Sequence, residues 1–433
     1  MTVVFDRPYR FVPPHRGSMW PFFIQKLRLV DWYLKRKEGV VSWECRGLEQ
    51  LKDSLDRGDG ILLAPNHCRY ADPLVLGWPA RLLNTNVYAI ASWHLFNKGR
   101  FDGFAIQKMG GFSIYREGVD RQALDTAIGI LAAAERPLVL FPEGTTNRSN
   151  DVLKPLLDGL SFIARAAARR RYKKSHGNVV IHPVAIKYLC KGDIYPWAHK
   201  QLAVLEHGFG WQATPELSLV ERTSRIVNGA FVLREVQYLG QPGSGTMTKR
   251  RDALIASILQ RIEAKLGLEA RGETVRERVR TIRTEISTQF FGSDAVIDQD
   301  TETHFRQDVK AVDMVQELIS YPESYLDADQ VTDTRMVETI QRIQESILGT
   351  VDCGVPLHAV IQFGEALEVP AEKAPRGEAD PLMEQLKEQL AMMLEKLSCE
   401  ARSFADNAVK EPRLLELNGV MDDRRCANRD QNR

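Results

Sequence analysis

The chain has 433 residues, of which 44% are hydrophobic and 27% charged, a globular balance that excludes a disordered or fibrous protein. Its length calls for two folding regions or for one domain with a large insertion. Fifty-eight Lys+Arg stand against 57 Asp+Glu, but residues 1–200 carry a net +12 and residues 201–433 a net −11, so anionic ligands or an anionic surface belong with the first half.

Residues 1–17 are rich in Pro and Arg and are read as irregular. Ser18 is placed to cap a helix from about Met19 to Lys37. Trp20, Phe23, Ile24, Leu27, Val30 and Leu34 form its apolar stripe, widened by Phe22, Trp32 and Tyr33 and flanked by Lys26, Arg28, Lys35, Arg36 and Lys37. Two readings fit equally: an interfacial helix on anionic lipid, or a helix packed on the domain. Residues 1–39 are therefore taken as an N-terminal arm.

From 40 to 190, apolar runs at Gly60–Ala64, Val87–Ala91, Phe112–Tyr115, Leu138–Phe141 and Val179–Ile186 alternate with helical patterns, clearest at Asp120–Glu135 and Gly159–Arg171. This alternation predicts an α/β sandwich. The basic run Arg169, Arg170, Arg171, Lys173 and Lys174 is read first as a solvated loop. From 191 to 354 the periodicity is helical: stripes at Leu254–Leu266, Val275–Phe290, Val312–Ile319 and Val337–Ile347. A strand pattern returns at 358–369 and an amphipathic helix at Pro381–Leu397. The sheet domain is thus predicted to be interrupted by a mainly helical insertion and completed by residues 355–400. Residues 401–433 form a tail, expected to be disordered at its end.

The six cysteines form no CxxC pair, which fits reduced thiols of a cytosolic protein. No GxSxG, P-loop, GxGxxG or HExxH motif occurs. No signal-peptide core and no run of 18 apolar residues is present, so membrane contact is expected to be peripheral.

Three strings carry chemistry. Asn66-His67-Cys68-Arg69-Tyr70-Ala71-Asp72-Pro73 follows an apolar strand. Pro73 suits the first position of a helix, which places Asp72 at its N-cap. A carboxylate bonded to one nitrogen of His67 fixes the tautomer and raises the basicity of the other. No serine lies beside the pair, so a hydroxyl of the substrate is open as the attacking group, and the alternative is that Asp72 only caps a helix and His67 is only a loop residue. Gly110-Gly111-Phe112-Ser113-Ile114-Tyr115-Arg116 opens a strand on glycines and closes it on an arginine, whose fork matches phosphate oxygens. Phe141-Pro142-Glu143-Gly144-Thr145-Thr146-Asn147-Arg148 makes a sharp turn whose Glu143, Thr145 and Arg148 are suited to polyol and phosphate groups.

In this order and spacing the three strings resemble the first three motifs of the glycerolipid acyltransferase family, typified by 1-acylglycerol-3-phosphate acyltransferases. Ile181-His182-Pro183-Val184-Ala185 is similar to the family's fourth motif, and Gln362–Leu367 resembles the strand that closes its domain. The resemblance implies an acyltransferase-type α/β sandwich around a mixed sheet. It implies His67 as the general base and Asp72 as its orienting partner. Arg116 would bind the acceptor phosphate, with Gly110 allowing close backbone approach. Glu143 and Gly144 would seat the acceptor, and Pro183 would shape the acyl-donor side. Thr146 stands where many members have an arginine, so the resemblance implies either that Arg148 takes over the second phosphate contact or that phosphate affinity is weaker.

The implied activity is O-acyl transfer from an acyl thioester to a lysolipid, 1-acylglycerol 3-phosphate first, in phospholipid synthesis. Acyl-CoA or acyl-carrier protein is then a cosubstrate, and no metal or tightly bound cofactor is required. Glycerol 3-phosphate or another lysophospholipid is the alternative acceptor, and a non-catalytic lipid-binding scaffold is the alternative of another class. The location expected is the cytoplasmic face of a membrane, with peripheral contact to anionic lipid.

Overall fold

A computed structural model of the chain describes residues 3–404, apart from 147, 213, 215, 271–272, 293–297, 321–323, 328–329 and 373–378. The expected disordered end of the tail lies outside these residues.

The strands are β1 (Val40–Arg46), β2 (Gly60–Pro65), β3 (Tyr88–Ser92), β4 (Gly111–Ile114), β5 (Leu138–Val139), β6 (Val179–Cys190), β7 (Leu357–Phe363) and β8 (Leu367–Glu368). They form one mixed sheet in the order β1-β7-β6-β2-β5-β3-β4, with β8 also on β6. β6, β2, β5, β3 and β4 run parallel, β7 and β8 pair antiparallel with β6, and β1 runs parallel to β7. The fold is the α/β sandwich around a mixed sheet that the sequence implies.

Alternation along the strands builds two cores. Leu62, Ala64, Ile181 and Ala185 face helices Arg121–Ala133, Gly159–Ser175 and Pro381–Ser398. Ile61, Leu63, Val184 and Ile186 face helices Leu48–Asp56, Tyr195–Gly208 and Asp333–Leu348. A third core, built on Leu254, Ile258, Ile282, Ile286, Val309 and Val312, belongs to helices Met247–Leu266, Val275–Gly292 and Gln299–Leu318. The helical segment is therefore not one body. The helices Tyr195–Gly208 and Asp333–Leu348 pack on the sheet, helix Leu219–Leu239 contributes Leu219 and Ile226 to the sheet-side core and Phe231 to the third core, and the three helices after it form a bundle reached also by Val3 and Phe5 of the arm.

Two elements depart from the sequence reading. The single helix expected over 19–37 is two, Met19–Lys26 and Leu29–Lys37, because Arg28 takes a left-handed conformation with φ 51°. Asp31 fixes the second helix by accepting bonds from Trp78 Nε1 and Arg81 Nη1. The basic run at 169–174 is helical, the last turns of Gly159–Ser175, where Arg171 donates to the carbonyls of Ala132 and Gly58.

Candidate active site

The site lies where the parallel strands end. β6 runs on past the end of β2, and two asparagines take over the ladder there. Asn66 accepts from Ile186 N at 2.7 Å and donates to Ile186 O at 3.0 Å. Asn150 accepts from Tyr188 N at 3.1 Å and donates to Tyr188 O at 2.8 Å. These side chains satisfy backbone groups that would otherwise be buried without partners, and they pin the loop after β2 against β6.

In that loop the structure brings His67 and Asp72 together. His67 Nδ1 lies 2.9 Å from Asp72 Oδ2. With the proton held on Nδ1, the neutral imidazole presents Nε2 as an acceptor. The ring stacks on Phe141 at 4.0 Å between centroids, and the side chain keeps 14% of its surface exposed.

Asp72 is fully buried but is not the helix cap that the sequence suggested. Ala71 occupies the N-cap of the Asp72–Val75 turn. The carboxylate instead turns back into its own loop, accepting from Cys68 N at 2.7 Å and Arg69 N at 2.8 Å, and from Tyr188 Oη at 2.8 Å. Four donors, the His67 ring among them, fix the orientation of the carboxylate toward the imidazole.

Glu143 is buried, and each of its oxygens accepts one backbone N–H: His67 N at 2.7 Å and Lys154 N at 3.1 Å. It ties the turn after β5 to the histidine loop. Burial raises its carboxyl and lowers the neighbouring Lys154 ammonium. Gly144 completes the turn with φ +72°, a left-handed conformation that favours glycine, and its N–H donates to Phe141 O at 3.1 Å. Thr145 Oγ1 accepts from Lys154 Nζ at 3.1 Å.

Other residues singled out by the sequence take different places. Gly110 stands at the start of β4, whereas His67 follows the end of parallel β2, so they lie at opposite ends of the sheet. Its φ is +96°, and a Cβ there would meet Val87 O at 2.5 Å. The glycine serves the approach of two backbones and is not brought to the site. Arg148 is buried with Nε paired to Glu345 of the Asp333–Leu348 helix, and its guanidinium lies 5.2 Å from the Tyr70 ring. The pair with Glu345 uses Nε, and Nη1 is buried without a hydrogen-bond partner among the described residues. Pro183 lies inside β6, opposite Ala64 of β2 and between the stretches that pair with β8 and β7. A residue without an N–H is tolerated there because neither antiparallel partner needs one, and Gly364 N donates to its carbonyl at 2.9 Å. Its ring is packed in the sheet, three residues short of the level where Ile186 meets Asn66. Arg116 directly follows the end of β4 and is half-buried, its guanidinium held below its usual value by burial.

Cys68 points away from His67 into the core. Its Sγ lies 3.3 Å from Asn150 Oδ1, and burial pushes the thiol well above its ordinary value. Sequence reasoning missed Tyr188, Asn150 and Glu338. Glu338, on a helix of the segment between β6 and β7, accepts from Asn150 N at 3.1 Å and from Tyr325 Oη, so that helix is coupled to the histidine loop through Asn150 and Tyr188. Only the alternation that turns Tyr188 toward the same face as Val184 and Ile186 hinted at this.

Residues 42–187 match the family model described as Acyltransferase. This stretch is a glycerolipid acyltransferase-family domain. The matched stretch contains the strings at 66–73, 110–116, 141–148 and 181–185 and stops before the helical segment and the closing strands. No curated protein matches the sequence. Among the described residues no cluster of three or more His, Cys, Asp or Glu side chains has a geometry suited to a metal ion.

Proposed function

We propose that the protein is an O-acyltransferase that moves a fatty acyl group from an acyl thioester, carried on CoA or on acyl-carrier protein, to a glycerol-based lysolipid, with 1-acylglycerol 3-phosphate the first acceptor to test. The observation that carries this reading is the His67–Asp72 pair, oriented through Nδ1 with Nε2 left as the acceptor and the adjacent Cys68 thiol turned to Asn150. Nε2 takes the proton of the acceptor hydroxyl as its oxygen attacks the thioester carbonyl. Asp72 stabilises the imidazolium, and the departing thiolate recovers the proton when the tetrahedral intermediate collapses. The step balances without a metal or a bound cofactor.

The substrates are lipids, and a surface suited to lipid supports the reading. Phe22, Phe23 and Trp32 on the first two helices and Phe101 and Phe104 on Arg100–Lys108 are exposed, Phe101 by 78% and Trp32 by 61%. Trp20 meets Phe104 edge-on at 5.4 Å, which joins the two sets into one patch. Lys26, Arg36 and Lys108 lie over these rings, the mixture of aromatic and basic groups that binds a membrane interface. Among the described residues no helix is long and apolar enough to cross a membrane.

Thiol release from acyl-CoA, measured with a panel of 1-acylglycerol 3-phosphate, glycerol 3-phosphate, lysophosphodiesters and monoacylglycerol, tests the proposal. Turnover with a lysolipid that His67→Ala abolishes supports it. A folded wild-type protein that transfers acyl groups to none of them refutes it.

A further inference from the structure

Asp72 is held from two directions. Its Oδ2 takes the His67 ring at 2.9 Å and the N–H groups of Cys68 and Arg69 at 2.7 and 2.8 Å, all from the loop that carries the carboxylate itself. Its Oδ1 takes the hydroxyl of Tyr188 at 2.8 Å. The Cys68 thiol is a weak donor, 3.7 Å from Oδ1 and closer to Asn150 at 3.3 Å. Tyr188 is thus the strong donor that reaches Asp72 from the sheet. A loop that wraps its own N–H groups round a carboxylate can still swing as a unit, and the bond from β6 fixes that unit against the strands.

The strand delivers the phenol because it is long. β6 pairs with β2 as far as Val184 and continues to Cys190, which carries Tyr188 beside the loop that follows β2. Asn150 bonds both the N–H and the carbonyl of Tyr188, at 3.1 and 2.8 Å, and its own N–H donates to Glu338 of helix Asp333–Leu348. The ring is fully buried, with the Arg69 guanidinium 5.4 Å from its centre. Burial first, and the charge of Asp72 next, keep the phenol protonated, so it donates to the carboxylate.

A donor on one oxygen of a carboxylate draws charge from the other. Tyr188 therefore moderates the pull of Asp72 on the proton that His67 gains. Without the hydroxyl, Oδ1 would be buried with no strong donor and the carboxylate could tilt away from Nδ1. The other titratable groups around the pair are Cys68 and Arg69 of the loop, Glu143 of the turn after β5 and Glu38 after helix Leu29–Lys37. A phenylalanine at 188 leaves each of them in place.

We propose that Tyr188 is a positioning residue for the reaction: its hydroxyl registers Asp72 against β6 and so sets both the aim and the basicity of His67. The inference deepens the proposed acyl transfer and rests on it for what the base does, whereas the tie from Tyr188 to His67 belongs to the folded chain alone.

NMR titration of the His67 ring in histidine-labelled protein, assigned against His67→Ala and recorded without substrate, tests that tie. Tyr188→Phe removes the hydroxyl and keeps the ring. The midpoint for His67 should rise by about half a unit to one unit, because the carboxylate then holds the imidazolium proton more strongly. In thiol-release assays kcat should fall about tenfold, with the KM for donor and acceptor unchanged and the acid limb of the kcat profile moved to higher pH. Difluorotyrosine incorporated at position 188 keeps the hydroxyl as a stronger donor, and it should move the midpoint the other way. A folded Tyr188→Phe protein whose His67 titrates as in the wild type overturns the assignment, as does a loss confined to KM. If Tyr188→Phe does not fold, the fluorinated tyrosine decides, and an unmoved midpoint there overturns it equally. If the wild-type protein acylates no acceptor, the proposed activity fails, and the titration of His67 still judges the role of Tyr188.

Discussion

The two ends of the candidate site are built on different terms. Around His67 and Asp72, bonds that run through the backbone fix the side chains: Asp72 holds two N–H groups of its own loop, Glu143 holds the N–H of His67, and Asn66 and Asn150 clamp β6. Around Arg116 the chain is the turn that follows β4, tied to the separate helical bundle through the Tyr115–Ser287 bond. The first arrangement suits chemistry, which tolerates little movement of a proton acceptor. The second suits recognition, because a separate element can change without disturbing the catalytic loop.

The sharpest break in that contrast is His67→Ala. The side chain ends in a loop and its backbone bond to Glu143 survives the change, so the fold should stand while acyl transfer falls roughly 10²- to 10⁴-fold. Thiol release alongside circular dichroism measures both, and a folded variant with wild-type turnover removes the base from the mechanism.

Asp72→Asn should do two things at once. An amide presents one acceptor where the carboxylate has two, and its N–H₂ would face donors from Cys68, Arg69 or Tyr188. We predict a loss of about 1–3 kcal/mol in urea denaturation and a smaller fall in turnover than His67→Ala gives. Unchanged stability would mean that this end is no better fixed than the other.

Acid should also test both ends. Burial holds His182 of β6, bonded to Ser54 of helix Leu48–Asp56, at about 4 and His94 in the turn after β3 at about 3, below the ordinary 6.5. Unfolded histidines take up protons below about 6.5 and these two do not, so stability is full above that value and falls as the pH drops toward 4. His182→Gln and His94→Gln should each flatten part of this fall, and a pH–stability curve unaltered by either change would remove these histidines as its cause.

Lipid contact should separate from both ends. Phe22→Ser with Trp32→Ser should lower co-sedimentation with anionic vesicles, and added salt should lower it further by screening the lysines and arginines. Point changes are preferred to truncation because Val3, Phe5 and Leu34 are buried. Unaltered binding would assign these rings to another contact. The smallest effect belongs to Cys68→Ser, which should keep most activity, with no acyl group trapped on the protein when donor is supplied alone. An acyl–Cys68 adduct with ping-pong kinetics would move the nucleophile to the protein.

Much of the sheet was legible because β2, β3, β4 and β6 are apolar runs bounded by turn signals, and the helical stripes at 254–266 and 275–290 repeat clearly. β1 escaped notice: VVSWECR mixes polar and apolar residues on a half-buried edge, and its partner β7 lies more than 300 residues away. Pro183 read as part of a site because its motif resembles one, although its place in the sheet follows from where β8 gives way to β7. Gly110 read as an approach for a ligand, and the neighbour it admits is the carbonyl of Val87.

By itself the sequence determined the fold class and the pairing of His67 with Asp72. Both rest on short-range regularities, strand and helix periodicity in the one case and a five-residue loop in the other, which local geometry sets. The tertiary structure decided what those residues touch: Tyr188 on Asp72, Glu345 on Arg148, Ser287 on Tyr115. Such contacts join segments from 116 to 197 residues apart, and they depend on how β6 and the bundle pack as wholes, a sum of many weak interactions that leaves no spacing to read in the chain.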